Sequence, residues 1–139
     1  MRIRDNYPII VTDRKDEARD FWQRFLGFRP VFDSSWFTLM TDEGSGSSIA
    51  FMTPDHPSAP PGPDAFAGTG ACFELEVDDV DEAHAELTGK GVSVTYPLSD
   101  EPFGQRRFGF ADPSGLWIDV VEQIAPRPGY WDTYLRGTG

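Results

Sequence analysis

FGQRRFGFADPSGLWIDVVE, residues 103–122, reads as two strands joined by a tight turn. RRFGFAD (106–112) and LWIDVVE (116–122) carry the β-branched and aromatic residues that strands favour. Between them, DPSG (112–115) puts Pro and Gly where a turn prefers them. Upstream, CFELEV (72–77) alternates apolar and polar residues, the period of a half-covered strand. Asp79 then offers an oxygen to cap a helix whose apolar face is Val80, Ala83 and Leu87, and Gly89 and Gly91 end it. VSVTYP (92–97) reads as the next strand. The second half of the chain therefore spells strand, helix and three strands.

The first half spells the same. NYPIIVT (6–12) reads as a strand, Asp13 as the cap of a helix through about Leu26, and Gly27 as its end. Ala18, Phe21, Trp22, Phe25 and Leu26 form the helix stripe. PVFD (30–33), SWFTLM (35–40) and SIAFM (48–52) follow as strands, with DEGSGS (42–47) among the turns between them. Asp13 matches Asp79 and Gly27 matches Gly91. A repeat of about 65 residues in two copies is too long and too few for a solenoid, and implies paired modules. The expected fold class is α+β: two βαβββ modules side by side, their curved mixed sheets lining a groove. The boundaries are module one 3–52, linker 53–70, module two 71–123 and an aromatic tail 124–139. The linker holds five prolines and three glycines, which neither a helix nor a central strand tolerates. Alternation turns Asn6, Pro8 and Ile10, then Cys72, Glu74 and Glu76, then Trp117, Asp119 and Val121 towards the groove, with Phe73, Leu75 and Val77 against the helix.

At 139 residues, 39% apolar with 11 Phe and 4 Trp, the chain can fill a core. A formal charge of −11 repels phosphate backbones, so nucleic acid is not an expected partner, and cations or polar neutral molecules are. No apolar run approaches the roughly 20 residues that span a bilayer, so no membrane role is expected. One cysteine excludes an internal disulfide framework, and the start MRIRDNYPII lacks the apolar run of a signal peptide, which together predict a cytoplasmic protein. No Ser-His-Asp order, GxGxxG or P-loop pattern occurs.

The helix-flanking Val11–Asp13, FLGF (25–28), VDDVDEAHAEL (77–87) and the 103–122 ending resemble the vicinal-oxygen-chelate superfamily of glyoxalases, bleomycin-resistance proteins and extradiol dioxygenases, over about residues 3–123. Within it the chain looks most like the bleomycin-resistance-type binding proteins. The resemblance implies a divalent ion held by a His seven residues before the capping Asp of each module and a Glu on each module's last strand. Those positions hold Asn6, Phe51, Cys72 and Asp119, of which only Asp119 is an ordinary hard-metal ligand. The expectation is no metal and no cofactor. The resemblance also implies a homodimer, and a loop bearing Phe103 and Gln105 that overhangs the ligand.

His84 reads as a helix-surface imidazole and His56 as a residue of the linker. Arg106 or Arg107 enters the groove or neutralises its acids. Ligand-binding candidates are Asn6, Trp36, Phe51, Cys72, Glu74, Phe103, Gln105, Arg106, Phe108, Trp117 and Asp119; acids with aromatics favour a flat cationic guest, held in part by cation–π contact. Two functions compete. One is a binding protein without catalysis that sequesters a cationic or aromatic antibiotic-like compound. The other is a metal-dependent lyase, isomerase or dioxygenase with an atypical ligand set; an acid–base isomerase using Glu74 and Asp119 is a third. In the tail, Tyr130, Trp131, Tyr134 and Leu135 form one helical face, expected to cover a subunit boundary or a groove.

Overall fold

The computed structural model describes residues 1–58 and 64–137, so part of the expected linker and the last two residues of the tail lie outside the described residues. Among the described residues eleven elements follow in order: β1 (Ile9–Val11), α1 (Lys15–Leu26), β2 (Arg29–Asp33), β3 (Phe37–Thr41), β4 (Ser48–Met52), β5 (Cys72–Glu76), α2 (Val80–Gly89), β6 (Tyr96–Glu101), β7 (Gln105–Ala111), β8 (Trp117–Gln123) and a 3-10 turn, η1 (Tyr130–Thr133). They form two four-stranded mixed sheets, ordered β1-β4-β3-β2 and β5-β8-β7-β6, each with one helix. This is the α+β, two-module fold read from the sequence. Two compact units result, residues 1–71 with 111–116, and residues 72–110 with 117–139.

In the first unit, β1 runs parallel to β4 and β4 antiparallel to β3, so that Ile10, Phe51 and Thr38 stand level across the sheet. That row faces α1: the Phe51 ring lies 5.9 Å from Trp22, and Thr38 Oγ1 accepts from Lys15 Nζ at 2.9 Å. Alternation puts Ile9, Val11, Ala50, Met52 and Leu39 on the opposite face. Trp22 is fully buried and its Nε1–H donates to Asp112 Oδ2 at 2.7 Å. Asp112 Oδ1 also accepts from Ser114 N, Ser114 Oγ and Leu116 N, so the DPSG turn is built around one carboxylate.

Two local expectations need correcting. α1 begins at Lys15 behind Arg14, which makes no capping bond with its side chain, and Thr12 Oγ1, not Asp13, accepts the Arg14 N–H. The strand expected at 92–97 lies at Tyr96–Glu101. Val92 N is held by the last turn of α2 through Leu87 O, and the hairpin with β7 is set by the turn at 102–104, where Gly104 takes φ +114. By contrast, Asp79 caps α2 as expected, its Oδ1 accepting from Glu82 N at 3.0 Å. Gly27 closes α1 at φ +73. Pro97 sits in β6, an edge strand, where a missing N–H costs no ladder bond.

In the second unit, β5 runs parallel to β8 with Cys72 level with Trp117, Glu74 with Asp119 and Glu76 with Val121. The face towards α2 carries Phe108, 4.9 Å edge-on from His84, and Glu122, whose Oε1 accepts from Val80 N. His84 is therefore packed against the sheet's buried ring as well as being a helix residue. Among the described residues no helix is long and apolar enough to cross a membrane.

Candidate functional site

The face of the second sheet away from α2 gathers a cluster of charged and aromatic side chains around Asp119. Asp119 is 8% exposed on the central strand β8. Its Oδ1 accepts from Trp117 Nε1 at 2.6 Å and its Oδ2 from Arg107 at 3.3 Å. Arg107 comes from β7 and its guanidinium lies against two rings, 5.1 Å from the centre of Phe103 and 5.5 Å from that of Tyr96. Tyr96 O–H donates to Glu101, whose carboxylate stands 3.6 Å from Arg107 Nε. That distance is beyond a hydrogen bond, and Nε–H is buried without a partner among the described residues. Burial disfavours the Arg107 cation, but the charges of Asp119 and Glu101 outweigh it and hold its pKa above the usual arginine value.

Trp117 owes its position to Gly109. A Cβ built on Gly109 would lie 2.3 Å from the indole's Cζ2, so only a glycine lets the ring lie against β7. Cys72, Glu74 and Glu76 are exposed along β5, and Glu76 accepts from Gln123 Nε2 at 2.6 Å. The carboxylates Glu74, Glu76, Glu101 and Asp119 outnumber the one guanidinium on this face, which leaves it acidic.

Cys72, Glu74, Trp117 and Asp119 share this face; Gln105 shares it by alternation with Arg107, and Phe103 covers it from the β6–β7 turn. Arg106 does not. It points to the other side of β7, where it pairs with Asp81 at 2.9 Å and Asp100 at 3.0 Å, both of which raise its pKa. Phe108 is likewise turned to α2 and fully buried. In the first unit, Phe51 is buried against Trp22, Asn6 is exposed ahead of β1, and Trp36 stacks on His56 with ring centres 4.3 Å apart and planes 6° apart. His56 Nδ1 in turn accepts from Ser58 N.

The two sheets give an internal standard for register. Thr12 N bonds to Met52 O just beyond the pair Val11 and Met52; Val77 N bonds to Val121 O just beyond the pair Glu76 and Val121. Ala50 is therefore the equivalent of Asp119, and Tyr7 that of Cys72. The expected first-module positions, Asn6 and Phe51, are each off by one residue, and Ile10 faces α1 rather than away from it. A one-residue slip in a strand exchanges its faces. The sequence left open which of Arg106 and Arg107 meets the acids, and Tyr96, Glu101 and Gly109 were missed as site residues. The signal for Gly109 was present: a glycine inside a strand pattern marks a close approach.

The positions at which the resemblance expects an ion thus carry Tyr7 and Ala50 in one unit, and Cys72 and Asp119 in the other. They do not fit a divalent ion. Alanine has no donor, a phenol is a poor ligand when protonated, and both Asp119 oxygens already accept hydrogen bonds. Among the described residues no three His, Cys, Asp or Glu side chains are grouped to hold a metal ion.

The family model that matches the chain is the Glyoxalase/Bleomycin resistance protein/Dioxygenase superfamily, over residues 6–120. A solved member of that superfamily from Sphaerobacter thermophilus is 30% identical, with 87% of this chain and 98% of that one covered, at a TM-score of 0.66. TnmS3, an antibiotic binding protein from a Streptomyces species, is 25% identical over 88% of this chain and 98% of its own, at 0.67. A lactoylglutathione lyase from Agrobacterium tumefaciens shares the fold at 19% identity, 86% and 94% coverage and 0.68. No curated protein matches the chain in sequence.

Proposed function

The chain belongs to the glyoxalase/bleomycin resistance protein/dioxygenase superfamily, and from that premise we propose that it is a metal-free binding protein for a small aromatic compound, neutral or cationic and antibiotic-like. The observation that carries this reading is the state of Asp119. The one conventional metal ligand at the superfamily's positions is spent on Trp117 and Arg107. A carboxylate so engaged is a structural anchor that fixes an indole and a guanidinium in place. Together with Phe103 and Tyr96 these offer flat surfaces, and the guanidinium its remaining N–H donors, to an organic guest.

The acid excess on this face disfavours an anionic guest. The antibiotic binding neighbour at 25% identity is in keeping with such a guest; the lyase neighbour speaks to the fold alone. Arg107 already answers Asp119 and Glu101, so a cationic group on the guest is left to the exposed Glu74 and Glu76, and the guest's aromatic part to Trp117 and Phe103.

The test is thermal unfolding with a panel of planar basic antibiotics and, separately, with zinc, nickel and ferrous ions. A ligand of the folded state at about 100 times its Kd stabilises by about 2.7 kcal/mol, a shift of several degrees for a domain of this size. Members of the antibiotic panel should raise Tm and the metals should not. Strong stabilisation by a metal, with none by the panel, would establish the metal-dependent lyase, isomerase or dioxygenase reading instead.

A further inference from the structure

Three consecutive carbonyls at the β6–β7 turn are taken by donors from the C-terminal segment. Pro102 O accepts from Arg127 N at 2.8 Å, Phe103 O from Trp131 Nε1 at 2.8 Å, and Gly104 O from Ile124 N at 2.9 Å. The approach is as close as backbone allows: a Cβ on Gly104 would stand 3.0 Å from Ile124 O and 3.4 Å from Pro126. The segment is itself braced by rings, Tyr130 and Trp131 lying 5.2 Å apart at 84° and Tyr130 and Tyr134 5.3 Å apart. Trp131 is thus fixed by its neighbours before its N–H reaches the turn. The turn's own task is visible on the other side, where the Phe103 ring lies 5.1 Å from the Arg107 guanidinium, beside the buried and unpartnered Nε–H.

We propose that residues 124–135 are a clamp that holds the Phe103 turn over Arg107, with Trp131 as its positioning residue. Closed, the clamp shields an N–H that no carboxylate satisfies; Glu101 stops 3.6 Å short of it. Opened, it exposes that donor and the Phe103 ring together, which suits a guest presenting a carbonyl or phenolic oxygen at the edge of an aromatic plane. The guest's identity rests on the proposed binding function; the clamp does not. The exposed faces of Trp131, Tyr134 and Leu135 are then the outer surface of the clamp, since the inner work is done by one indole N–H and two backbone amides.

The experiment is modification of the full-length protein with phenylglyoxal, which adds to accessible guanidinium groups, followed residue by residue with peptide mass spectrometry. Arg106 is the internal control, because it lies on the α2 side of the same strand and is held by Asp81 and Asp100. Trp131→Phe keeps a ring against Tyr130 and Tyr134 and removes the N–H. Arg107 should react roughly three to ten times faster in Trp131→Phe, the change in open population that loss of one neutral hydrogen bond brings, with Arg106 unchanged. A chain lacking residues 126–139 should show the larger effect. Arg107 reactivity unchanged in both variants overturns the clamp, and so does a parallel rise at Arg106, which would mean general loosening. Faster Arg107 labelling with no guest found would leave the clamp standing and the binding function refuted; a guest found with labelling unchanged would do the reverse.

Discussion

The two sheets of this protein have the same strand order, the same parallel pairing of the first edge strand with its neighbour and the same register of that pair, yet the faces turned away from their helices differ in kind. In the first, Ile9, Val11, Leu39, Ala50 and Met52 make an apolar surface; in the second, the equivalent rows carry Glu74, Glu76 and Asp119, joined by Arg107 and Glu101. Duplication of a scaffold does not duplicate its chemistry. The polar cluster is local to one copy, where a glycine makes room for an indole and the indole positions a carboxylate. The contrast between Ala50 and Asp119, one position in two copies, condenses the difference.

The sharpest way to break that contrast is to write the second sheet's acid into the first. Ala50 is fully buried, and its cross-strand partners on that face, Ile9 and Leu39, carry no charge to answer a carboxylate. Ala50→Asp should therefore cost on the order of 3–5 kcal/mol, the penalty of an unpaired buried charge, read from urea unfolding. A cost under about 1 kcal/mol would show that the first sheet accepts charge as the second does, and the asymmetry would lose its meaning. A smaller effect is expected from filling the space that makes the second sheet special. Gly109→Ala places a carbon 2.3 Å from the Trp117 ring and should cost about 1–3 kcal/mol by overpacking, with a change in tryptophan emission as the indole leaves Asp119. Unaltered emission would mean that Trp117 is not held by that contact.

The extent to which the sequence carried these features follows the strength of each local signal. The strand at 72–76 was legible because its alternation is unbroken, and that alternation placed Glu74 and Asp119 on one face. The first strand failed by one residue because β1 is only three residues long, follows a proline and is apolar on both sides, so no periodicity marks its inner face. Counting back from Asp13 could not repair this, since Asp13 does not cap α1. Arg106 and Arg107 are adjacent and chemically identical; only the pairing of β7 decides which one meets Asp119. Tyr96 and Glu101 were hidden by the shift of β6, whose register is fixed by a turn held through the distant C-terminal segment. Contacts of that range leave no local trace in sequence.

The smallest expected effect lies on the helix side of the first sheet. Asp33 is held below the usual carboxylate range, chiefly by the hydrogen bond from Thr38 and further by Arg19 and Lys15, against the opposing effect of partial burial. A carboxylate with a depressed folded pKa contributes stability above its unfolded value of about 3.9, and that contribution is lost as pH falls through the folded value. Asp33→Asn should consequently lower Tm slightly at neutral pH and make the fall in Tm below about pH 4 shallower than in the wild type. An acid limb of unchanged slope would assign that loss to the other paired acids.

The most direct test of the central claim, that Asp119 is an anchor for Trp117 and Arg107 rather than a metal ligand, is the melting temperature of wild type and Asp119→Ala, each with a chelator and with added zinc or nickel. Asp119→Ala should melt lower in the chelator alone, by the equivalent of about 1–3 kcal/mol for donors left unpaired, and neither protein should respond to metal. A metal-dependent rise in the wild-type Tm that disappears in Asp119→Ala would contradict it.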